Sequence, residues 1–335
     1  MESLSDPRVK EFESVLSQVN LQGHWQMDRR PIGGAQLWKW DVIYPLLMQA
    51  GELIPMEDTG RRTLKLVTPG LNATTPSVQM SVQLVLPGEV AAAHRHAFAA
   101  TRFIVEGSGA YTTVDGEPLW LSAGDYVTTP SMCFHDHTNE SSEPIVWLDV
   151  HDNPFVGTLK ILGMGESFPE KTQPHTVAAG TSRELMGIVR PANLRFHPAH
   201  RPAGYPWAEV GPTLERAADG PGDPCDGILL DYANPVTGSH TLPTLGARIQ
   251  MLRPRERTLP HRHTSYTVYH VFQGEGVSVI GDQRFEWSKG DCFTVPSWEW
   301  HTHEQKGDQA AILFSAHNQP ILEAFDLYRE EREEG

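Results

Sequence analysis

The sequence predicts a protein dominated by β-strands, with two barrels in tandem and a short helical segment at the N-terminus. Three observations support this fold class. The 335 residues include 26 proline and 29 glycine residues, and this density of turn formers favours short strands over long helices. Apolar residues alternate over short runs that end in turns. A block of residues in the first half of the chain recurs in the second half, which indicates two similar domains.

An internal duplication organises the chain. His94-Arg95-His96 recurs in the second half as His261-Arg262-His263. A second block, of glycine, aspartate, proline and two histidines, recurs at a slightly shorter offset, so one residue is lost between the blocks. Its members are Gly124, Asp125, Pro130, His135 and His137, which match Gly290, Asp291, Pro296, His301 and His303. Chance matches do not hold register over about forty residues, so the repeat is a true duplication.

Each copy of the repeat is predicted to consist of short strands. The apolar runs are separated by turn signals such as Pro87-Gly88, Asp115-Gly116 and Gly124-Asp125. Short strands with regular turns are typical of a sandwich or barrel. The predicted strands cover 78–86, 102–106, 111–114, 119–121, 126–129 and 145–150 in the first copy, and 247–252, 269–272, 277–280, 284–287, 292–295 and 311–314 in the second.

Segments outside the repeats have weaker signals. Residues 8–19 are predicted to form a helix capped by Asp6. The aromatic residues Trp38, Trp40 and Tyr44 indicate a segment that covers a barrel, and residues 325–334 are predicted to form a charged, frayed helix. The expected organisation is an N-terminal helical and aromatic extension over 1–60, a catalytic barrel over 61–170, a linker over 171–235, a second barrel over 236–320 and a tail over 321–335.

Charge and cysteine content restrict the partners and the compartment. The formal net charge of −15 argues against nucleic acid and anionic membranes as partners. Three cysteines without a CxxC pattern do not suggest a disulfide framework and favour a reducing compartment. The first residues are polar, unlike a signal peptide, and no apolar run approaches the roughly 18 residues of a membrane helix. The sequence therefore predicts a soluble, cytoplasmic protein.

Three histidines of the first repeat predict a metal site. His94 and His96 are two residues apart on a strand, so their side chains point to the same face. His135 follows Pro130 on a later strand, which barrel closure could place beside the first. Three neutral imidazoles on one side of a metal leave three octahedral positions free, an arrangement that suits iron(II) chemistry with substrate and dioxygen bound together. Surface or core histidines are the alternative, but two matched H-x-H pairs make it the weaker one.

Two motifs around these histidines resemble those of cupins. Gly88 followed by five residues and His94-x-His96 is similar to the first cupin motif, although Ala100 and Thr101 stand where many cupins have glutamate. Gly124-x5-Pro130-x4-His135-x3-Asn139 resembles the second. The segment from His94 to Glu117, HRHAFAATRFIVEGSGAYTTVDGE, together with Phe134-His135-Asp136-His137, closely resembles the gentisate 1,2-dioxygenase family. That family of bicupins includes salicylate, 1-hydroxy-2-naphthoate and nitrosalicylate dioxygenases, and the likeness spans roughly residues 35–320.

The resemblance implies a fold, a reaction and a cofactor. It implies two double-stranded β-helix (jelly-roll) barrels, and an Fe(II)-dependent enzyme that inserts O2 between the carboxyl-bearing and hydroxyl-bearing carbons of an aromatic acid. Gentisate leads among the expected substrates, followed by salicylates such as the 5-nitro or 5-halo acid. The resemblance also implies a homotetramer. The metal ligands would be His94, His96 and His135.

Further site residues follow from the same resemblance. Arg102, six residues after His96, would contact the substrate carboxylate or an oxygen-derived anion, because a guanidinium stays charged and offers a planar fork. One arginine of the pair Arg61-Arg62 is expected to add a second cation, with Arg62 taken as the candidate and a solvated pair as the alternative. The remaining predicted residues are Gln83, His137 and Asp149. Gln83 would hydrogen-bond the carboxylate, with an outward-facing strand residue as the alternative. His137 would support the metal ligands or handle protons, and Asp149 would contact ring substituents or orient a histidine.

The sequence does not decide whether the second barrel binds a metal, and two other classes of function are alternatives to a dioxygenase. His261, His263 and His301 form an intact ligand set, but Tyr269 replaces Arg102, so the second barrel is expected to be structural or to bind metal without turnover. Three histidines also suit a zinc or manganese isomerase or hydrolase. A non-catalytic bicupin that stores or senses a small molecule is the other alternative, and Arg102 beside an intact ligand set argues against it.

Overall fold

The computed structural model describes residues 7–18, 33–185 and 203–333. The chain divides into two units, Met1–Ile32 and Gly33–Gly335. In the first unit Pro7–Gln18 forms helix α1, which confirms the predicted N-terminal helix. Its proposed cap, Asp6, lies outside the described residues, as do residues 186–202 of the predicted linker. The second unit contains both barrels.

Strands make up most of the second unit. Its helices in the described ranges are α2 (Trp40–Leu53), α3 (Met56–Thr59), α4 (Asn153–Thr158), α5 (Thr181–Leu185), α6 (Trp207–Ala217) and α7 (Gln319–Ala324). The first twelve strands are β1 (Leu37–Trp38), β2 (Thr63–Lys65), β3 (Gln79–Val85), β4 (Val90–His96), β5 (Ala100–Glu106), β6 (Ser108–Val114), β7 (Glu117–Ser122), β8 (Tyr126–Thr129), β9 (His135–Asn139), β10 (Ile145–His151), β11 (Gly165–Ser167) and β12 (Gly204–Tyr205). The later strands are β13 (Ile228–Asp231), β14 (Gly246–Leu252), β15 (His261–His263), β16 (Thr267–Gln273), β17 (Glu275–Ile280), β18 (Gln283–Ser288), β19 (Cys292–Val295), β20 (His301–Glu304), β21 (Ala311–His317) and β22 (Glu330–Arg332).

The first barrel consists of two antiparallel sheets that share an apolar core. One sheet has six strands in the order β12-β8-β5-β10-β3-β2, and the other has five in the order β11-β4-β9-β6-β7. Ile104 and Trp147 of the six-stranded sheet are fully buried in one cluster with Ala110 and Leu121 of the five-stranded sheet. Side chains alternate between the two faces of each strand. Each sheet therefore presents one set of residues to the barrel interior and the other set to the outside.

The second barrel repeats this strand order. Its six-stranded sheet has the order β1-β19-β16-β21-β14-β13, and its five-stranded sheet has the order β18-β17-β20-β15-β22. Each strand corresponds to one strand of the first barrel, with β5 matching β16 and β10 matching β21. The fold therefore confirms the duplication and the two tandem barrels.

The two six-stranded sheets pack against each other through their outer faces. Phe103 on β5 is fully buried, stacks on Phe314 of β21 at a centroid distance of 4.3 Å, and meets Phe272 of β16 edge-on at 5.2 Å. Val82 and Val268 belong to the same buried cluster. The largest apolar core of the protein therefore lies between the barrels.

Two helices connect the barrels in a reciprocal manner. Trp40 opens α2, and its backbone N–H donates to Asp291 of the second barrel at 2.8 Å, while α2 continues onto β3 of the first barrel. Trp207 opens α6, and its N–H donates to Asp125 of the first barrel at 2.8 Å, while α6 continues onto β13 and β14 of the second. We call α2 and α6 the crossing helices.

Glycine is required at each of the two turns on which these tryptophan rings pack. Gly124 and Gly290 have φ angles of +90° and +92°, a backbone conformation that strongly favours glycine. A Cβ atom at Gly124 would lie 2.6 Å from the Trp207 ring, and one at Gly290 would lie 2.3 Å from the Trp40 ring. In each repeated Gly-Asp pair, the glycine therefore forms a tight turn and leaves room for the tryptophan ring. The aspartate accepts the hydrogen bond from the backbone N–H of that tryptophan.

The C-terminal tail differs from the prediction. Residues 325–334 were expected to form a frayed helix, but Glu330–Arg332 forms β22 and pairs with β15. The edge of β15 offers free backbone donors and acceptors, and pairing with the tail satisfies them. The predicted helix is therefore wrong for this segment.

None of the helices in the described part of the chain combines the length and apolar character that crossing a bilayer requires.

The interface between the barrels generates a stability prediction. Phe103→Ala should lower the free energy of unfolding by about 3–5 kcal/mol, because it removes a fully buried ring and leaves a cavity. Urea unfolding followed by tryptophan fluorescence measures this change. Phe325→Ala is the matched control, since Phe325 is 67% exposed and should change stability by less than about 0.5 kcal/mol. Equal effects of the two substitutions would contradict a core between the barrels.

Candidate active site

Three histidines converge inside the first barrel. His94 and His96 lie on β4, and His135 on β9 is directly opposite His94 in the antiparallel pairing. One ring nitrogen of each lies within 4.8 Å of the others. His135 is buried, whereas His94 and His96 are half-buried. The structure thus brings together the three predicted ligands, with one side of the trio open.

Backbone carbonyls orient two of the imidazoles. Nδ1 of His96 lies 2.7 Å from the carbonyl oxygen of Phe98, and Nδ1 of His135 lies 3.1 Å from that of Cys133. A carbonyl oxygen can only accept, so Nδ1 carries the proton in both rings. Nε2 of each ring is then left with a lone pair, which is the form in which imidazole binds a metal.

Burial keeps the imidazoles neutral. It lowers the pKa of His94 to about 3, with a further contribution from the charge of Arg61. Burial lowers the pKa of His96 to about 3 as well, and it holds the pKa of His135 well below its usual range. All three rings therefore have lone pairs available at neutral pH. Three neutral nitrogen donors with an open side fit a catalytic metal cofactor.

A buried ion pair lies beside the trio. Arg102 on β5 is opposite Asp149 on β10, and Nε of the guanidinium is 3.1 Å from Oδ1 of the carboxylate, without the alignment of a hydrogen bond. Nη1 of Arg102 donates to the Thr129 hydroxyl at 2.7 Å. Burial lowers the pKa of Arg102 and raises that of Asp149, and each partner opposes the shift of the other. Strand alternation directs both groups into the barrel.

Several buried polar atoms around this pair lack a hydrogen-bond partner among the described residues. They are Nε2 of Gln83, Nε of Arg102, Nε2 of His137, Nε1 of Trp147 and Oδ1 of Asp149. A buried polar group without a partner costs about 1–3 kcal/mol, so native structures contain few of them. Their concentration next to the histidine trio indicates a site that binds a polar ligand.

His137 lies on the same face of β9 as His135. Its Nδ1 is 2.8 Å from the hydroxyl of Thr112. Burial lowers the pKa of His137 well below its usual value, with a further contribution from Arg102. The ring is therefore neutral, and Nε2 points to no described partner. The structure places this histidine where the sequence predicted it.

Arg61 faces the site, and Arg62 does not. Nη2 of Arg61 lies 2.6 Å from Nδ1 of His94. Arg62, the candidate named from the sequence, is buried, forms two 2.7 Å hydrogen bonds with the Glu89 carboxylate and donates to the carbonyl of Ile54. Its guanidinium is thus fully engaged outside the barrel interior. The expectation for Arg62 is wrong, and Arg61 supplies the second cation.

Two further residues at the site were not predicted. His151 lies two residues after Asp149 on β10, with Nε2 4.0 Å from Oδ1 of the carboxylate. Phe98 stacks on His96 with a centroid distance of 3.6 Å and nearly parallel rings. The repeat contained a signal for His151, because it matches His317 at the same offset that relates His135 to His301.

A cavity leads to the trio from outside. Its volume is about 710 Å³, and its lining includes Arg61, His94, Ala92, Phe168 and Lys171. The charged side chains of the lining are Arg61 and Lys171, balanced by Glu57 and Glu170, and Arg61 is the cation that lies next to the trio.

The second barrel contains a matching trio. One ring nitrogen each of His261, His263 and His301 lies within 4.8 Å of the others, and all three residues are buried. In the positions of Arg102 and Asp149, however, stand Tyr269 and Ser315. The second site therefore lacks the ion pair of the first.

Comparison with known proteins agrees with this description. Residues 81–151 and 248–317 match the family described as Cupin domain. The 5-aminosalicylate 1,2-dioxygenase of Comamonas sp is 41% identical over 88% of this chain and 80% of its own length. Gentisate 1,2 dioxygenase 1 of Aquipseudomonas alcaligenes is 36% identical over 96% of both chains. The crystal structure of a salicylate 1,2-dioxygenase from Pseudaminobacter salicylatoxidans superposes with a TM-score of 0.87 at 29% identity, covering 98% of this chain and 99% of that one.

The fold and the two histidine trios define a bicupin with one group of metal-ligand side chains in each barrel. The chain belongs to the gentisate and salicylate 1,2-dioxygenase family of ring-cleaving dioxygenases, which confirms the resemblance seen in the sequence.

The contrast between the paired arginines can be tested. Arg62→Ala should lower the free energy of unfolding by about 3 kcal/mol, because it leaves Glu89 and the Ile54 carbonyl without their partner. Arg61→Ala should change it by less than about 1 kcal/mol, since the Arg61 side chain forms no ion pair with a carboxylate in the described residues. Urea unfolding of both variants measures the difference. The reverse order of stabilities would contradict the assignment of Arg61 to the site.

Proposed function

We propose that this protein is an iron(II)-dependent dioxygenase of a hydroxylated aromatic acid. The reaction breaks the ring bond between the carboxyl-bearing and hydroxyl-bearing carbons and leaves one atom of O2 on each carbon. The observation that carries the proposal is the neutral, partly open histidine trio next to Arg102 and a group of buried polar atoms without partners in the described part of the chain. Family membership supports the reaction class.

Iron is the metal that suits this site best. A ferrous ion held by these three nitrogen donors would have room left for the aromatic acid and for O2. His94, His96 and His135 would hold it. A zinc or manganese isomerase or hydrolase has a similar ligand set, and oxygen consumption distinguishes the two classes.

Cations and an amide would hold the substrate carboxylate. Arg102 and Arg61 supply two guanidinium groups, and Nε2 of Gln83 supplies a donor without a described partner. Charge-assisted hydrogen bonds of this type are shorter and stronger than neutral ones, particularly in a buried site. Together they would place the ring with its carboxyl and hydroxyl groups towards the histidine trio.

Asp149 would select the ring substituent. Its Oδ1 lies 3.1 Å from Nε of Arg102 but accepts no aligned hydrogen bond from a described residue, so a substituent with an O–H or N–H group would supply one. The 5-hydroxyl of gentisate and a 5-amino group can donate, whereas a 5-nitro group cannot. A site built for a donor disfavours an analogue without one, because the buried acceptor is left without an aligned hydrogen bond. Gentisate and 5-aminosalicylate are therefore the proposed substrates, and 5-nitrosalicylate ranks below them.

His137 would hold the proton that moves during ring opening. The Thr112 hydroxyl can donate or accept at Nδ1, so its rotation lets Nε2 either take up or release a proton. A neutral imidazole can act in both directions.

We further propose that the enzyme is a cytoplasmic homotetramer, as family resemblance implies. None of its three cysteines forms a disulfide in the structure described.

A substrate panel with defined metals tests the function. The protein is loaded anaerobically with Fe(II), Zn(II) or Mn(II) and mixed with gentisate, 5-aminosalicylate, salicylate, 5-nitrosalicylate or 1-hydroxy-2-naphthoate. The iron form should consume one O2 per ring opened, with kcat/KM at least about tenfold higher for the two 5-donor substrates than for 5-nitrosalicylate. Ultraviolet spectra and an oxygen electrode measure both quantities.

His96→Ala is the matching variant for the metal. It should lose turnover and the iron of the first barrel, while His175→Ala, at an exposed histidine, should keep both. Turnover by the zinc form without oxygen uptake would support the isomerase or hydrolase alternative. Ligand binding without turnover in any metal form would support a non-catalytic bicupin.

Arg102 provides a test of substrate positioning. Arg102→Lys should retain iron but lower kcat by about 10²–10³-fold, because an ammonium group cannot reproduce the planar fork. The control is Arg95→Ala, which removes a partly exposed guanidinium from β4 that pairs with Glu166. Stopped-flow kinetics and metal analysis of both variants give the comparison. Wild-type kinetics in the Arg102 variant would remove this residue from the mechanism.

A further inference from the structure

We propose that Asp152 is a positioning residue for the metal ligand His96, and that its bond to Thr244 makes this ligand depend on the second barrel. The inference rests on the proposed metal site of the first barrel and extends it to two residues that lie outside the histidine trio.

The loop between β4 and β5 controls the orientation of His96. The carbonyl oxygen of Phe98 in this loop accepts a hydrogen bond from Nδ1 of His96 at 2.7 Å, and the Phe98 ring stacks on the imidazole at a centroid distance of 3.6 Å. The carbonyl fixes which nitrogen carries the proton, and the stacked ring restricts rotation of the imidazole. The direction of the lone pair on Nε2 therefore depends on where the backbone of this loop lies.

Asp152 holds the end of the same loop. It follows β10, its side chain is buried, and its Oδ1 accepts a hydrogen bond from the backbone N–H of Ala99 at 2.8 Å. Ala99 is next to Phe98 in the chain, so this bond limits displacement of the Phe98 carbonyl and ring. Asp152 is not a member of the group of mutually close ligand atoms, and it therefore acts on His96 through the loop.

The other oxygen of this carboxylate bonds to the second barrel. Oδ2 of Asp152 accepts a hydrogen bond from the hydroxyl of Thr244, which lies in the turn before β14. This turn contacts the first barrel at a second point, because Oγ1 of Thr241 is 3.2 Å from the hydroxyl of Tyr126 on β8. The loop that orients His96 is thus coupled to a turn of the other barrel.

The charge of Asp152 is held by hydrogen bonds alone in the described part of the chain. Burial raises the pKa of Asp152 to about 6, and the hydrogen bonds from Thr244 and Ala99 oppose this rise. A buried charge is costly, but hydrogen bonds to an ionised acceptor are roughly twice as strong as neutral ones. The carboxylate is therefore suited to holding two donors from different barrels together.

The repeat provides an internal comparison for the loop anchor. Asn318 takes the place of Asp152 in the second barrel, and Tyr266 takes the place of Ala99. Oδ1 of Asn318 accepts a hydrogen bond from the backbone N–H of Tyr266 at 2.9 Å. Both barrels therefore fix the loop after their H-x-H pair with a side-chain oxygen, and the carboxylate is found in the first barrel.

The bond between the barrels differs between the two copies. Ser77 takes the place of Thr244, but its buried hydroxyl has no hydrogen-bond partner among the described residues. Thr244, by contrast, reaches Asp152. The hydroxyl bond from one barrel to the loop anchor of the other is thus formed at the barrel that contains Arg102 and not at its counterpart.

Iron binding by the full-length protein tests the inference. Apoprotein is titrated anaerobically with Fe(II), and bound iron is followed by electron paramagnetic resonance of its nitric oxide adduct. The part of this signal that His96→Ala removes belongs to the first barrel. Asp152→Ala should raise the Fe(II) Kd of this part at least about tenfold and change the shape of its signal, because the outer partners of metal ligands typically contribute about 10–100-fold to affinity. Asp152→Asn keeps an acceptor for Ala99, so its Kd should stay within about threefold of the wild-type value.

Asn318→Ala is the matched control for Asp152→Ala, since it removes the acceptor of a backbone N–H at the equivalent place in the second barrel. Both variants should lower the midpoint of urea unfolding, but only Asp152→Ala should alter the iron of the first barrel. For the bond between the barrels, Thr244→Val should raise the Fe(II) Kd of the first barrel about threefold or more. Ser77→Ala, which removes a hydroxyl without a described partner, should leave this Kd unchanged.

Unchanged iron binding in Asp152→Ala, or an equal loss in Asn318→Ala, would overturn the role of Asp152. Equal effects of Thr244→Val and Ser77→Ala would overturn the dependence on the second barrel. If the wild type gave no iron signal that His96→Ala removes, the proposed metal site would itself be wrong. None of these readouts requires turnover of an aromatic acid, so failure of the inference and failure of the proposed function can be told apart.

Discussion

The two-residue alternation of strand β5 is the constraint on which the rest of the structure depends. Arg102 and Phe103 are adjacent in the chain and lie on opposite faces of the strand. Arg102 enters the first barrel and faces Asp149, while Phe103 enters the core between the barrels and stacks on Phe314. A slip of one residue would place a charge in the largest apolar core and a phenyl ring in the binding site. The same register therefore sets both the association of the barrels and the chemistry of the interior.

Period-two patterns and the repeat allowed most of the strands and both histidine trios to be predicted. The alternation of apolar residues locates a strand, and an i, i+2 spacing assigns two histidines to one face without further information. The offset of the second repeated block also relates His151 to His317, so the sequence held a signal for this residue as well. Where the backbone follows a regular period, the direction of a side chain can therefore be inferred from sequence.

The errors arose where no period applies. Arg61 and Arg62 follow Gly60, which ends α3 with a φ of +68°. The geometry of this turn determines which of the two arginines faces the barrel interior. No periodic pattern in the sequence predicts that geometry. Composition alone predicts a helix for the tail, yet the conformation of the tail depends on β15, which lies far away in sequence and offers an unpaired edge. The crossing helices also depend on contacts between residues far apart in sequence, because Trp40 and Trp207 each contact a turn in the barrel other than the one on which their own helix packs.

The crossing helices have a consequence for how the protein can be divided. Each barrel has its Gly-Asp turn covered by a tryptophan from the segment that leads into the other barrel. If the chain were cut just before Trp207, the N-terminal fragment would lose the tryptophan that packs on the Asp125 turn. Helix α2 of the same fragment would lose its hydrogen bond to Asp291. Such a fragment would also expose the face around Phe103 to water. We therefore expect neither half to fold by itself. The half that contains Arg102 and the first histidine trio depends for its shape on a second barrel with a different set of polar groups.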